Sequence, residues 1–239
     1  MKKKLIMAAM AAAVIPSASA ATSFTDDFGD SSIDSEWNKN GVNWVEGAGE
    51  LSVTGIGGPS GAASYITTST VPSDTAFTLT MDFHVTSVTA SEQDWAGVAW
   101  NFGSAASTYI WRVRTENGRA TITEWGGDIN LWSSAVEGPG DFGALTANNT
   151  YRLTVVSPVA GTFSAELIDI DGTDGTIYST GTIVDATHTS GGHFGIYALQ
   201  PEDNELQVES FSVVTSVPEP SSFALLGLGG LALILRRRK

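Results

Sequence analysis

Apolar and polar residues alternate along most of the chain between positions 21 and 215. Phe77, Leu79, Met81, Phe83 and Val85 interleave with Thr78, Thr80, Asp82 and His84 over nine residues, which is the period of a half-buried strand. Val98, Trp100 and Phe102 repeat the pattern against Ala99 and Asn101, as do Tyr151, Leu153 and Val155 against Arg152 and Thr154. Phe163, Ala165 and Leu167 follow, then Phe194, Ile196 and Ala198, then Leu206, Val208 and the run Phe211-Ser212-Val213. Turn residues separate these runs at Gly57-Gly58-Pro59, Glu116-Asn117-Gly118, Asp171-Gly172-Thr173-Asp174-Gly175 and Gly191-Gly192. Asn117-Gly118 between two strand-like runs predicts a hairpin. Helical periodicity is nearly absent, and the spacing predicts about a dozen strands in an antiparallel two-sheet sandwich. The 195 residues from 21 to 215 suffice for one domain with a sizeable core. That length is about twice what an immunoglobulin sandwich needs, and it suits a larger jelly roll.

The two ends break the pattern. Met1–Ala20 has Lys2, Lys3 and Lys4, an apolar stretch from Leu5 to Ile15, and Ala18-Ser19-Ala20. These are the charged region, the apolar region and the cleavage site of a secretory signal peptide, so the mature chain is expected to start at Ala21. Residues 216–239 hold Pro218-Glu219-Pro220, an apolar run from Phe223 to Leu235, and the basic stop Arg236-Arg237-Arg238-Lys239. Thirteen residues make a helix of about 20 Å, shorter than a hydrocarbon core of about 30 Å. Snorkelling arginines can extend the span, and the basic stop is expected to stay cytoplasmic. This order of parts resembles the PEP-CTERM sorting tail. The resemblance implies a transient inner-membrane anchor and a short C-terminal transmembrane helix, cut by an exosortase near the Pro-Glu-Pro step. A plain, uncut anchor is the alternative.

The body resembles a second family. Phe24-Thr25-Asp26-Asp27-Phe28, Ile33-Asp34-Ser35-Glu36-Trp37 and Glu50-Leu51-Ser52-Val53 look like the opening of concanavalin A-like (laminin G-like) jelly rolls. His193-Phe194-Gly195-Ile196-Tyr197 and Val208-Glu209-Ser210-Phe211-Ser212-Val213 look like that family's last strands. The resemblance implies that the first and last strands lie side by side.

Charge narrows the partners. The chain has no cysteine, which removes disulfides, thiolate zinc sites and cysteine nucleophiles. Seven of its twelve basic residues lie in the terminal segments, leaving Lys39, Arg112, Arg114, Arg119 and Arg152 in the body. Twenty-five of the 26 acidic residues stay with them, a net charge near −20 that disfavours nucleic acid.

Candidate chemistry is sparse. Glu166, Asp169 and Asp171 invite comparison with the acidic catalytic strand of laminarinase-type glycosidases, but Glu166 falls on the opposite strand face from the two aspartates. Asp169, Asp171 and Asp174 form a candidate calcium loop, and Asp26, Asp27 and Asp30 a second one. A solvated turn is the alternative for both. Three histidines, His84, His188 and His193, are too scattered in sequence to suggest a metal site. Five tryptophans fall between positions 95 and 132. Alternation puts Trp100 in the core and turns Trp95, Asn101, Arg112, Arg114 and Trp125 to the other side of the sheet. Indole faces stack on sugar rings and guanidinium groups bond hydroxyls or carboxylates, so this set is a candidate carbohydrate-binding face. Packed indoles and ion-paired arginines are the alternative.

The expectation is an exported, non-catalytic surface or matrix protein that binds extracellular polysaccharide. A glycoside hydrolase or polysaccharide lyase of the same fold, or a purely structural surface protein, are the alternatives.

Overall fold

The structure is a computed structural model of the chain. It describes residues 23–40, 43–54, 64–72, 76–88, 94–104, 107–116, 118–126, 135–172, 175–188, 192–199 and 206–216. The segments expected to be a signal peptide and a C-terminal anchor, 1–20 and 217–239, fall outside the described residues. The described residues contain strands and turns, with no helix long and apolar enough to cross a membrane.

The first strands are β1 (Ser23–Asp26), β2 (Trp37–Asn40), β3 (Asn43–Gly47), β4 (Glu50–Thr54), β5 (Ser64–Pro72) and β6 (Ala76–Val85). The middle of the chain forms β7 (Trp95–Ser104), β8 (Ser107–Arg114), β9 (Arg119–Gly126), β10 (Ala135–Asp141), β11 (Tyr151–Val159) and β12 (Thr162–Asp169). The last are β13 (Gly175–Ser179), β14 (Ile183–Val184), β15 (His193–Leu199) and β16 (Leu206–Ser216). A nine-stranded sheet runs β13-β12-β11-β6-β16-β4-β3, with β1 also on β16 and β14 on β12. A seven-stranded sheet runs β10-β9-β8-β7-β15-β5-β2. Every pairing is antiparallel, so the body, Ala21–Ser216, is the jelly-roll sandwich that the alternation predicts. β1 lies against β16, with Ser23 opposite Val214, so the first and last strands are neighbours.

The core fills the space between the sheets. Phe77, Leu79, Met81, Phe83 and Val85 of β6 are all buried, while Thr78 is exposed between them. Aromatic rings lock the two layers together. Trp100 meets Phe163 edge-on at 5.1 Å, Phe77 meets Phe194 at 4.7 Å, and Trp111 stacks on Tyr178 at 5.6 Å. Such offset and edge contacts add to what area burial alone supplies.

Two irregularities re-aim side chains. In β7 the pairing with β8 shifts between Trp100 and Ser104, and Asn101 takes a left-handed φ of 53°. The alternation therefore slips, and Phe102 lies with Tyr65, Trp95, Ala99, Ile110 and Tyr197 rather than with Val98 and Trp100 in the main core. Simple alternation places Phe102 on the wrong face. In β16 the pairing with β6 shifts between Val208 and Ser210, which leaves Glu209 as the extra residue of a bulge.

Candidate functional site

The seven-stranded sheet carries a second buried cluster on the face turned from the main core. Across it, Tyr65, Tyr197, Gly97, Arg112 and Thr121 lie side by side on five successive strands. Gly97 keeps this row close-packed. A Cβ there would lie 2.5 Å from the Trp111 carbonyl and 2.8 Å from Arg112 Cβ. The Arg112 guanidinium sits 4.4 Å from the Trp95 ring centre and donates from Nη1 to the Tyr197 hydroxyl at 3.0 Å. Tyr65 packs against Tyr197 at 5.4 Å and against Phe102 at 4.9 Å. Burial pushes the Tyr65 and Tyr197 phenols up from their ordinary value, so both remain protonated donors.

Alternation assigned Trp95 and Arg112 to the correct face, but neither is open to solvent. Trp95 is 2% exposed, Arg112 1% and Asn101 7%. The two aromatic walls beside a desolvated cation explain the difference, because the sequence pattern reports which face a residue takes and not what lies over it. Arg114 is partly exposed, pairs with Glu116 and stands opposite Trp95 in the register. β9 sets the Trp125 backbone opposite Thr108, while its side chain lies outside what the structure describes. Asn101 donates to the His188 carbonyl at 2.5 Å, tying β7 to the segment before β15. The reading from sequence missed Tyr65 and Tyr197. Tyr197 alternates with the core residues Ile196 and Ala198, so the signal for its outward face was present.

Acidic groups gather at one end of this face. Asp94 and Glu116 are both buried, and the Asp94 carbonyl accepts the Thr115 N–H at 3.0 Å. Burial raises the Glu116 carboxyl above its ordinary value, and this outweighs the lowering by backbone N–H groups and Arg114.

The two candidate calcium loops hold their carboxylates mainly in local bonds. Asp169 accepts the Gly172 N–H at 2.7 Å, Asp171 accepts the Thr150 N–H at 2.8 Å, and Asp174 lies outside the described residues. Glu166 accepts the Thr176 hydroxyl at 2.5 Å, away from both aspartates. Near the start, Asp26 accepts the Phe28 N–H at 2.8 Å and the Trp37 indole N–H at 2.6 Å. Asp27 and Asp30 accept the N–H groups of Gly29 and Ser32. Glu46 joins this group, and burial together with the Asp30 carboxyl raises its own.

A third group was not legible in sequence. Glu50 of β4, His84 of β6 and Glu209 of β16 present one ligand atom each, all within 4.8 Å of one another. They come from positions far apart in the chain and meet only because β16 lies between β6 and β4.

Residues 216–239 match the family described as PEP-CTERM protein-sorting motif. The chain carries a PEP-CTERM tail. No curated protein sequence matches it. Among solved structures the body resembles the calcium-bound exoplasmic/lumenal domain of VIP36, with a TM-score of 0.57 at 10% identity over 83% of this chain and 92% of that one. It resembles a Bauhinia forficata lectin in complex with GalNAc, with a TM-score of 0.56 at 14% identity over 83% of this chain and 99% of that one. It also resembles part of the Bacteroides ovatus xyloglucan-locus protein GH43B, with a TM-score of 0.55 at 17% identity over 80% of this chain but 39% of that one. At these identities the likeness is one of fold. Ahead of its PEP-CTERM tail the body is an antiparallel two-sheet jelly roll.

Proposed function

We propose that this is an exported, exosortase-processed surface protein whose jelly roll binds extracellular polysaccharide without cleaving it. The observation that carries the reading is the aromatic and guanidinium row on the seven-stranded sheet. Trp95, Tyr197 and Arg112 form a rigid layer there, held by the Arg112–Tyr197 hydrogen bond and the close approach at Gly97. Arg114 and Trp125 are the sugar-contacting residues in this reading, and Trp95, Asn101 and Arg112 support them. The lectin-like neighbours favour the reading by fold, since one of them holds GalNAc. Calcium is the cation proposed for the loop of Asp169, Asp171 and Asp174, as its oxygen-only donors suit a hard ion. Signal-peptide cleavage after Ala20 and removal of the tail past Pro218-Glu219-Pro220 place the body at the cell surface.

A glycan array probed with the purified full chain, with and without calcium, tests the binding reading. Retention of a polysaccharide class, weakened about tenfold or more in Arg114→Ala or Trp125→Ala, is expected for anchors of this kind. An array on which nothing binds sinks it. The second reading is catalytic, a glycoside hydrolase or polysaccharide lyase, since part of the GH43B protein shares this fold. Turnover of any bound glycan would favour that reading instead.

A further inference from the structure

The face of the nine-stranded sheet turned from the core holds the cluster of Glu50, His84 and Glu209. We propose that His84 Nε2 and the Glu50 carboxylate bind a divalent cation of the zinc class, with Glu209 orienting the imidazole from its other nitrogen. His84 alternates with the buried Phe83 and Val85, so its ring stands on that face, at the centre of the sheet. Its Nδ1 lies 3.1 Å from Glu209 Oε1, and the same oxygen accepts the Thr150 hydroxyl at 3.1 Å. A histidine whose one nitrogen donates to a carboxylate presents the other as a lone pair in a fixed direction, the usual arrangement behind a metal-bound imidazole. Here the other nitrogen, Nε2, is 3.8 Å from Glu50 Oε1. That is beyond hydrogen-bond reach and close to the separation of about 3.4 Å kept by two ligands of one tetrahedral zinc ion.

The bulge in β16 contributes directly. Glu209 is the residue added between Val208, opposite Phe83, and Ser210, opposite Asp82. Both Glu209 and Ser210 stand between the buried Val208 and Phe211, and the extra position brings the Glu209 carboxylate beside His84. Bulges re-aim side chains in this way. One imidazole with one carboxylate, the imidazole backed by a second carboxylate, suits zinc or its neighbours better than calcium, which takes oxygen ligands only. Other charged groups face the same region. Asp171 is one of them, its carboxyl lowered mainly by its hydrogen bonds from Thr150. Asp82 is occupied by Arg152, whose Nε and Nη2 reach it at 2.6 and 2.7 Å. An ion at the cluster would join β4 to β6, and the Glu209–His84 bond would hold β16 to both, tying the early part of the chain to its last strand. The site lies on the other sheet from the sugar-binding face and is independent of that reading.

The competing arrangement is a protonated His84 bridging the two glutamates with no metal. Titration of zinc into the chelator-treated full chain, followed by calorimetry and by thermal melting, separates the two. The expected result is saturable binding of about one zinc per chain, with a melting temperature that rises with zinc concentration. Glu50→Gln and His84→Gln should each weaken binding by about 100-fold, and cobalt in place of zinc should give an absorption spectrum with nitrogen ligation. Glu50 sits at the edge of the cluster, so Glu50→Gln decides the matter if His84→Gln fails to fold. Absence of saturable binding, unchanged affinity in a folded variant, or an equal response to calcium overturns the proposal.

Discussion

Arg112 shows how one residue can be assigned correctly to a face and still be misjudged in energy. An outward arginine ordinarily contributes little, but this one is 1% exposed, stacked on Trp95 and bonded to Tyr197. Arg112→Ala should therefore cost at least about 2 kcal/mol, from lost packing and the lost hydrogen bond to Tyr197. Arg112→Lys should not restore it, since an ammonium lacks the planar fork. Trp100→Ala, in the main core, should cost about 3–5 kcal/mol. Denaturant midpoints of the three variants compare these values directly. Two carboxyls make opposite contributions to pH dependence. Burial opposes the ionisation of Asp185, yet the Tyr109 hydroxyl and the Thr187 N–H win and lower its pKa. A lowered folded pKa gives stability that is present above the ordinary value of 3.8 and lost as pH falls through the folded value. Glu116 is raised, so its contribution weakens as pH climbs from 4.5 through its folded value. Asp185→Asn should flatten the acid limb of a stability–pH curve, and Glu116→Gln should flatten the limb just above it.

At the scale of strands, most of the fold was legible because a half-buried strand writes its burial into the sequence every second residue. β6, β11 and β12 follow that rule closely. The rule fails at β7, where the left-handed Asn101 inserts a slip that no alternation reveals and Phe102 changes face. The candidate site was legible as far as each residue's face. Tyr65, Tyr197 and the Glu50–His84–Glu209 cluster needed the strand order, which depends on pairings between distant segments. Gly97 tests the close packing of β7 against β8. Gly97→Ala should cost about 1–3 kcal/mol by overpacking against the Trp111 carbonyl. A thermal melt no lower than that of the parent protein would show that the two strands can separate to admit a methyl group.

For the whole molecule, the tail is the part most readable in sequence, since Pro218-Glu219-Pro220, the apolar run and the basic stop stand in contiguous order. Intact-mass measurement of the protein from its native host should find Arg236–Lys239 removed. A tail retained on every molecule would leave a plain anchor. The strand that precedes the tail has a further consequence. β16 is interior to its sheet, held by β6 on one side and by β4 and β1 on the other. Every segment made before it lacks the partner that completes the sheet, so the sandwich cannot close until residue 216 is available. A chain passing through a narrow secretion channel must stay extended, and this topology delays collapse without a dedicated chaperone segment. Truncation before Leu206 should give a product that is readily exported and rapidly degraded, whereas truncation after Ser216 should fold. Pulse-chase protease resistance on the far side of the membrane would time that closure against the exit of the last strand.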